Sequence, residues 1–335
     1  MRQLLAILSL ITLILTACGP TTLVVGITPG DQTLTETIVV DEPARRTKIA
    51  MIDVSGVIVN ARNNSLLQQG ENPVAALHEK LERARNDDQV DAVLLRINSP
   101  GGSVTASEAM HHEIRRFKAS SGKPIVVIMM DVAASGGYYI ACAADRIVAY
   151  PSTVTGSIGV IMQTVSLKPA LDRWGIEATT LRSGAIKGAG SPIDVLTDDQ
   201  KAIFQQMIDT YHQQFVSVVD AGRTSLDRAT IEKLADGRVY TGRQAADLGL
   251  IDAVGDLYHA FDLAKRMAQL EQADLVLYHR PLDYVAGPYA STKTPPTPAQ
   301  TTINLFSLDL GGANGIDATG APVVFGYLWT VDRLN

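Results

Sequence analysis

"PIVVIMMDVAASGGYYIACAADRIVA", Pro124–Ala149, is the stretch on which the fold turns. Its first seven residues are a near-continuous apolar run, the pattern of a strand buried on both faces. "GYYIACAAD" reads as a short helix. Between them a single hydroxyl, Ser135, stands between two alanines and two glycines. Glycine here lets the backbone turn sharply, or lets another backbone come close. Strand, tight turn and helix form the repeating unit of a parallel α/β sheet, in which ligands bind at the carboxyl ends of strands.

The flanking sequence repeats the alternation. "KIAMIDVSGVIV" (48–59), "VDAVLLRINS" (90–99) and "KPIVVIMM" (123–130) are strand candidates. "NPVAALHEKLERARND" (72–87), "TASEAMHHEIRRFKAS" (105–120), "LKPALDRWG" (167–175) and "LTDDQKAIFQQMIDTYHQQFVSVVDAGR" (196–223) are helices, with "EATTLRS" (177–183) extended. The long helix opens at Thr197, a good N-cap, with Asp198 and Asp199 in its first turn. "DGRVYTGRQAADLGLIDAVGD" (236–256) reads as turn, short helix and strand, and "LYHAFDLAKRMAQLEQ" (257–272) closes the body as a helix. The fold class is α/β, a helix-covered parallel sheet over residues 48–280.

The ends differ in kind. "MRQLLAILSLITLILTAC" carries Arg2, an apolar run from Leu4 to Leu15 and small residues before Cys18, which is the layout of a signal peptide over residues 1–17. The ending "LTAC" resembles the lipobox of bacterial lipoproteins. That resemblance implies cleavage before Cys18, lipidation of its thiol, and anchoring to a bilayer on the extracytoplasmic side of a bacterial cell envelope. Residues 18–47 read as a polar spacer. Cys142, left alone and within an apolar stretch, reads as a small buried residue, so no disulfide is expected. Residues 281–335 begin with a Pro/Thr linker, "STKTPPTPAQTT" (291–302), and end in an apolar tail to which the sequence assigns no role.

Composition excludes one class of partner. The 335 residues carry a formal net charge of −6 and 5% aromatic residues, with no basic run. A nucleic-acid binder needs a basic face or stacking platforms.

Three loops share glycine and a small polar residue just after a strand: "NSPGGS" (98–103), "AASGG" (133–137) and "TGSIG" (155–159). Singly, each is ordinary turn chemistry. "NSPGGS" lacks the lysine of a phosphate-binding loop, and no G-x-G-x-x-G follows a strand. In open α/β sheets ligands bind at the carboxyl ends of strands, so the three loops are expected to share one edge. Ser135 resembles a nucleophile elbow, although it reads A-A-S-G-G rather than G-x-S-x-G. In such an elbow the Gly136 amide faces the forming oxyanion with an amide from another loop, for which Gly102 is preferred over Gly101.

A serine nucleophile needs a base. The six histidines, His78, His111, His112, His212, His259 and His279, lie in or near helices or strands and none in a glycine loop, which weakens a Ser-His-Asp triad. Lys187, in "SGAIKGAGSP" (183–192), sits among small residues. To accept a proton near neutrality a lysine must be held well below its usual value of about 10.4, a change of about 4 kcal/mol that desolvation can impose.

The segments "INSPGGSVTASE", "ASGGYYIACAADRIVA", "TGSIGV", "SGAIKGAGSP" and "DGRVYTGRQAADLGLIDAVG", in this order, resemble the signal peptide peptidase A (SppA, protease IV) family in its single-repeat form. The resemblance covers about Lys48 to Gln272. It implies the ClpP/crotonase-like fold and a Ser-Lys dyad: Ser135 as nucleophile, Lys187 as general base, Ser157 orienting the amine, and Gly102 and Gly136 as oxyanion donors. It implies peptide substrates such as cleaved signal peptides, no metal or organic cofactor, and a homo-oligomeric ring in which a neighbouring subunit completes each site. The chain departs from many members in having a lipobox rather than a transmembrane anchor. Two other readings compete, a crotonase-like acyl-CoA enzyme using the same oxyanion hole and an inactive ring scaffold.

Overall fold

A computed structural model describes residues 33–43, 47–61, 71–281, 283 and 285–290, and the backbone of 326–328. The signal-peptide segment, Cys18 and the Pro/Thr stretch 291–302 lie outside the described residues.

The strands are β1 (Thr35–Val40), β2 (Lys48–Ser55), β3 (Val90–Ser99), β4 (Gly101–Ser103), β5 (Ile125–Ala134), β6 (Arg146–Ala149), β7 (Val154–Gly156), β8 (Val239–Thr241), β9 (Ala253–Val254), β10 (Asp274–His279) and β11 (Gly326–Leu328). The helices are α1 (Pro73–Asn86), α2 (Val104–Ser121), α3 (Gly136–Ala141), α4 (Lys168–Arg173), α5 (Asp198–Gly222), α6 (Arg228–Leu234), α7 (Gly242–Asp247) and α8 (Leu257–Met267).

One sheet runs β1-β10-β2-β3-β5-β6-β9. Every neighbouring pair from β10 to β9 is parallel; β1 joins β10 antiparallel, and off this path β8 joins β7 antiparallel. Period-2 alternation along the strands builds two cores. Ile49, Met51, Leu94, Val126 and Ile128 pack on one face against Leu257, Phe261 and Ala264 of α8. Ile52, Leu95, Ile97, Val127 and Met129 pack on the other against Leu77 and Leu81 of α1 and Met110 and Ile114 of α2. Each such Leu, Ile or Phe contributes about 1.5–3 kcal/mol by burial, far more than intrinsic propensity supplies, so the faces rather than the helices alone hold the layers together.

Two stretches differ from the sequence reading. Thr35–Val40, read as part of a spacer, is strand β1, which gives β10 a partner along its outer edge from Thr35↔His279 to Val40↔Leu275. The body closes not on helix α8 but on β10, which returns beside β2. "EATTLRS" forms no strand and lies mostly exposed. The C-terminal region also touches the body. Arg96 forms a bidentate pair with Asp53, at 2.6 and 2.7 Å, and donates further to the carbonyls of Pro288 and Ala290.

The strand that decides the fold is longer than its apolar run. β5 pairs with β6 through Met129, then diverges and pairs with β7 through Val132, Ala133 and Ala134. The sheet therefore splits around the second half of β5, and Ser135 stands at the end of that branch.

Candidate active site

Ser135 fills the whole turn between β5 and α3. Its φ of 52° and ψ of −117° lie where a side chain rarely goes. Such strain costs about 1–3 kcal/mol and persists only when neighbours over-determine it. They do so here. Ser135 N–H donates to Gly156 O at 2.8 Å, and Tyr139 N–H donates to Ser135 O at 2.9 Å. Thr155 Oγ1 donates to Ala133 O at 2.7 Å, locking the strand just before the turn. The result is a buried serine whose position is fixed from both sides.

The same bond brings the third glycine loop alongside. Gly156, with φ of 80°, accepts from Ser135, and the next residue is Ser157. Ser157 is also buried and also has positive φ, 50°, and its N–H donates to Arg238 O at 2.8 Å.

The first loop closes the arrangement. Gly101 O accepts from Ile58 N–H and Ser103 N–H donates to Ile58 O, both at 2.8 Å. Alternation along the strand then turns the Gly102 N–H away from Ile58. A Cβ on Gly102 would fall 1.8 Å from Ile58 O, so only glycine fits. A Cβ on Gly136 would lie 3.1 Å from Gly102 N and 2.4 Å from Ser107 Oγ, which places the two glycine loops in direct contact. Along the other edge of β4 lies β11, antiparallel, with Tyr327 opposite Gly102. Peptide backbone therefore fits on this edge.

Ser135, Ser157, Gly102 and Gly136 thus converge. Lys187 stands apart from them. It sits exposed in a series of turns from Gly184 to Gly190, its N–H bonded to Gly184 O at 3.1 Å, and is not hydrogen-bonded to Ser135. The surrounding segment exposes large apolar side chains: Val165 at 68%, Trp174 at 72% and Leu181 at 93%. None of the six histidines hydrogen-bonds Ser135. His78 pairs with Glu113, His212 faces Ala235 O, and His111 packs edge-on against Tyr139 with ring centres 5.3 Å apart. Cys142 is buried, and burial pushes its thiol up to about 12, so it is inert. Cys18 lies outside the described residues. Among the described residues no group of three His, Cys, Asp or Glu side chains is placed to hold a metal.

Three hydroxyls that build the site carry no signal as chemistry in the sequence: Ser99, Ser107 and Thr155. Each is fully buried and bonds backbone rather than facing a cleft. For Ser99 and Thr155, proximity to glycine in "NSPGGS" and "TGSIG" is the trace they leave.

A buried, strained serine beside two glycine loops, on a split parallel sheet, defines a class, and comparison with known proteins agrees with it. Peptidase family S49 matches residues 117–271, and Clp protease matches residues 46–155, which accords with the ClpP/crotonase-like fold. A putative signal peptide peptidase SppA of Enterococcus faecium is 34% identical over 238 residues, 71% of this chain and 69% of that protein. A putative protease of Synechocystis is 34% identical over 68% of this chain and 76% of its own length. Protease 4 of Haemophilus influenzae is 33% identical over 67% of this chain, which spans only 35% of that longer protein. The chain is a serine peptidase by class. It belongs to peptidase family S49.

Proposed function

We propose that the chain is a membrane-associated serine endopeptidase that works through a Ser135–Lys187 dyad on apolar peptides such as cleaved signal peptides. Lys187 takes the Ser135 proton as Oγ attacks the peptide carbonyl. The amides of Gly102 and Gly136 stabilise the tetrahedral oxyanion. Lys187 then returns the proton to the leaving amine, and water hydrolyses the acyl-enzyme. Ser157 holds the lysine amine in line. The observation that carries this reading is the strained turn at Ser135, φ 52°, packed against the Gly101–Gly102 loop. The names of the relatives support signal peptides as the substrate class.

Lys187 is exposed in the single chain, within a segment rich in exposed apolar side chains. A lysine base needs desolvation. A second copy seated on this segment supports both needs, covering the apolar patch and drying the amine, so the active form is a homo-oligomeric ring whose sites are completed between neighbours. The lipid on Cys18 holds that ring at the extracytoplasmic face of a bacterial membrane. Among the described residues no helix is long and apolar enough to cross one.

Ser135→Ala and Lys187→Ala are tested on a fluorogenic peptide with small or apolar residues before the scissile bond. Both are expected to lose at least about 10³-fold in kcat, as removal of a nucleophile or its base does. Turnover retained by either variant would remove the dyad.

A further inference from the structure

We infer that Ser99 is a positioning residue that selects which loop amide serves the oxyanion. It has no assigned role in the reaction, and the inference rests on the peptidase reading above.

Ser99 is the last residue of β3 and is fully buried. Its Oγ donates to Gly56 O at 2.6 Å and accepts from Gly101 N–H at 3.1 Å. A serine that accepts from the amide two residues on forms a local turn. Three successive backbone positions follow from it. Pro100 has no N–H to offer. The Gly101 N–H is occupied by Ser99 Oγ. Gly102 comes next, and the bonds of Gly101 and Ser103 to Ile58 turn its amide to the opposite edge of β4, where β11 lies with Tyr327 across from it. Gly101 reaches this geometry with φ of 101°, which a residue with a side chain would not hold.

Ser99 also touches the other half of the site. A Cβ on Gly137 would fall 2.7 Å from Ser99 O, so α3 begins directly against it. Ser99 pairs with Ala133 across the β3–β5 ladder, two residues before Ser135. One side chain therefore sets the oxyanion loop from a position built into the strand next to the nucleophile's. Without the hydroxyl, the Gly101 N–H loses its acceptor and the loop that presents Gly102 loses its anchor to β3.

The test compares Ser99→Ala, Ser99→Cys and Thr153→Ala in the full chain with wild type. Thr153 supplies the control. It is a buried hydroxyl just before β7, donating to Met129 O and Met130 O of β5 rather than to the Gly101–Gly102 loop. Ser99→Ala is expected to lower kcat about 10- to 100-fold, somewhat less than deleting an oxyanion donor outright, with KM within about twofold. Affinity for a peptide aldehyde, which adds Ser135 Oγ to form a hemiacetal, should fall in parallel. Binding of the uncleavable peptide amide should not change. Cys, which keeps a weak acceptor in the same place, should recover part of kcat, and Thr153→Ala should lower the melting temperature but leave kcat. Equal kcat losses in Ser99→Ala and Thr153→Ala, or a Ser99→Ala loss confined to KM, overturn the inference and leave the peptidase reading standing. A wild-type protein that neither turns over peptide nor takes the aldehyde on Ser135 removes both.

Discussion

Single residues bear the constraints from which this site is made. Ser135 holds a backbone conformation suited to glycine, and Gly102 sits where any Cβ would meet Ile58 O. Neither constraint needs a charged group, so pH acts on the protein elsewhere. His111, on α2 behind Tyr139, is lowered from 6.5 to about 4, first by burial and then by Arg115, His112 and Lys118. The unfolded chain therefore binds this proton more readily than the folded one. The neutral ring supports folding fully above about pH 6.5, and that support, up to about 3 kcal/mol, is lost progressively as pH falls towards 4. His111→Gln is expected to flatten the fall in melting temperature between pH 7 and 4.5. An unchanged slope in the variant would place the acid sensitivity in other groups.

At the scale of elements, the buried pair of Asp53 on β2 and Arg96 on β3 joins two strands and holds the Pro288–Ala290 segment by its carbonyls. Removing Arg96 takes the bidentate partner from the buried Asp53 carboxylate. Arg96→Ala is expected to cost about 3–5 kcal/mol in denaturant unfolding, whereas Arg96→Met with Asp53→Leu should recover most of it. Full additivity of the two single losses would show that the pair is not coupled. The sequence told most about elements whose own residues decide them. "VDAVLLRINS" is β3 to the residue, because its apolar run Ala92–Leu95 with Ile97 is bounded by turn residues. Thr197 opens α5 as a capping box with Gln200, a purely local device. It was silent where a partner distant in sequence decides. β1 and β10 are short and their pairing spans more than two hundred residues. β5 runs past its apolar run to Ala134 because β7 offers a second ladder, which no pattern in "DVAAS" announces. The site follows the same rule. Glycine and serine at 102, 135, 136 and 157 could be read from motifs, and the structure gathers them. Ser99 could not, since its role lies in two backbone bonds.

For the molecule as a whole, the proposed dyad makes the single chain half of a catalytic arrangement. Its strained serine is buried and complete in its supports, while Lys187 stands in an exposed segment with Val165, Trp174 and Leu181 in the open. A heterologous interface, repeated around a closed ring, would cover that patch and bring each lysine to the next subunit's serine. The most direct measurement is complementation between two dead proteins. Ser135→Ala and Lys187→Ala are mixed in equal amounts, dissociated and reassembled, with wild type carried through the same steps. Random assembly pairs an intact serine with an intact neighbouring lysine at about one site in four, so turnover of about a quarter of the wild-type value is predicted. A mixture as inactive as its parents, beside a wild type that regains full turnover, would contradict a Ser-Lys site shared between copies.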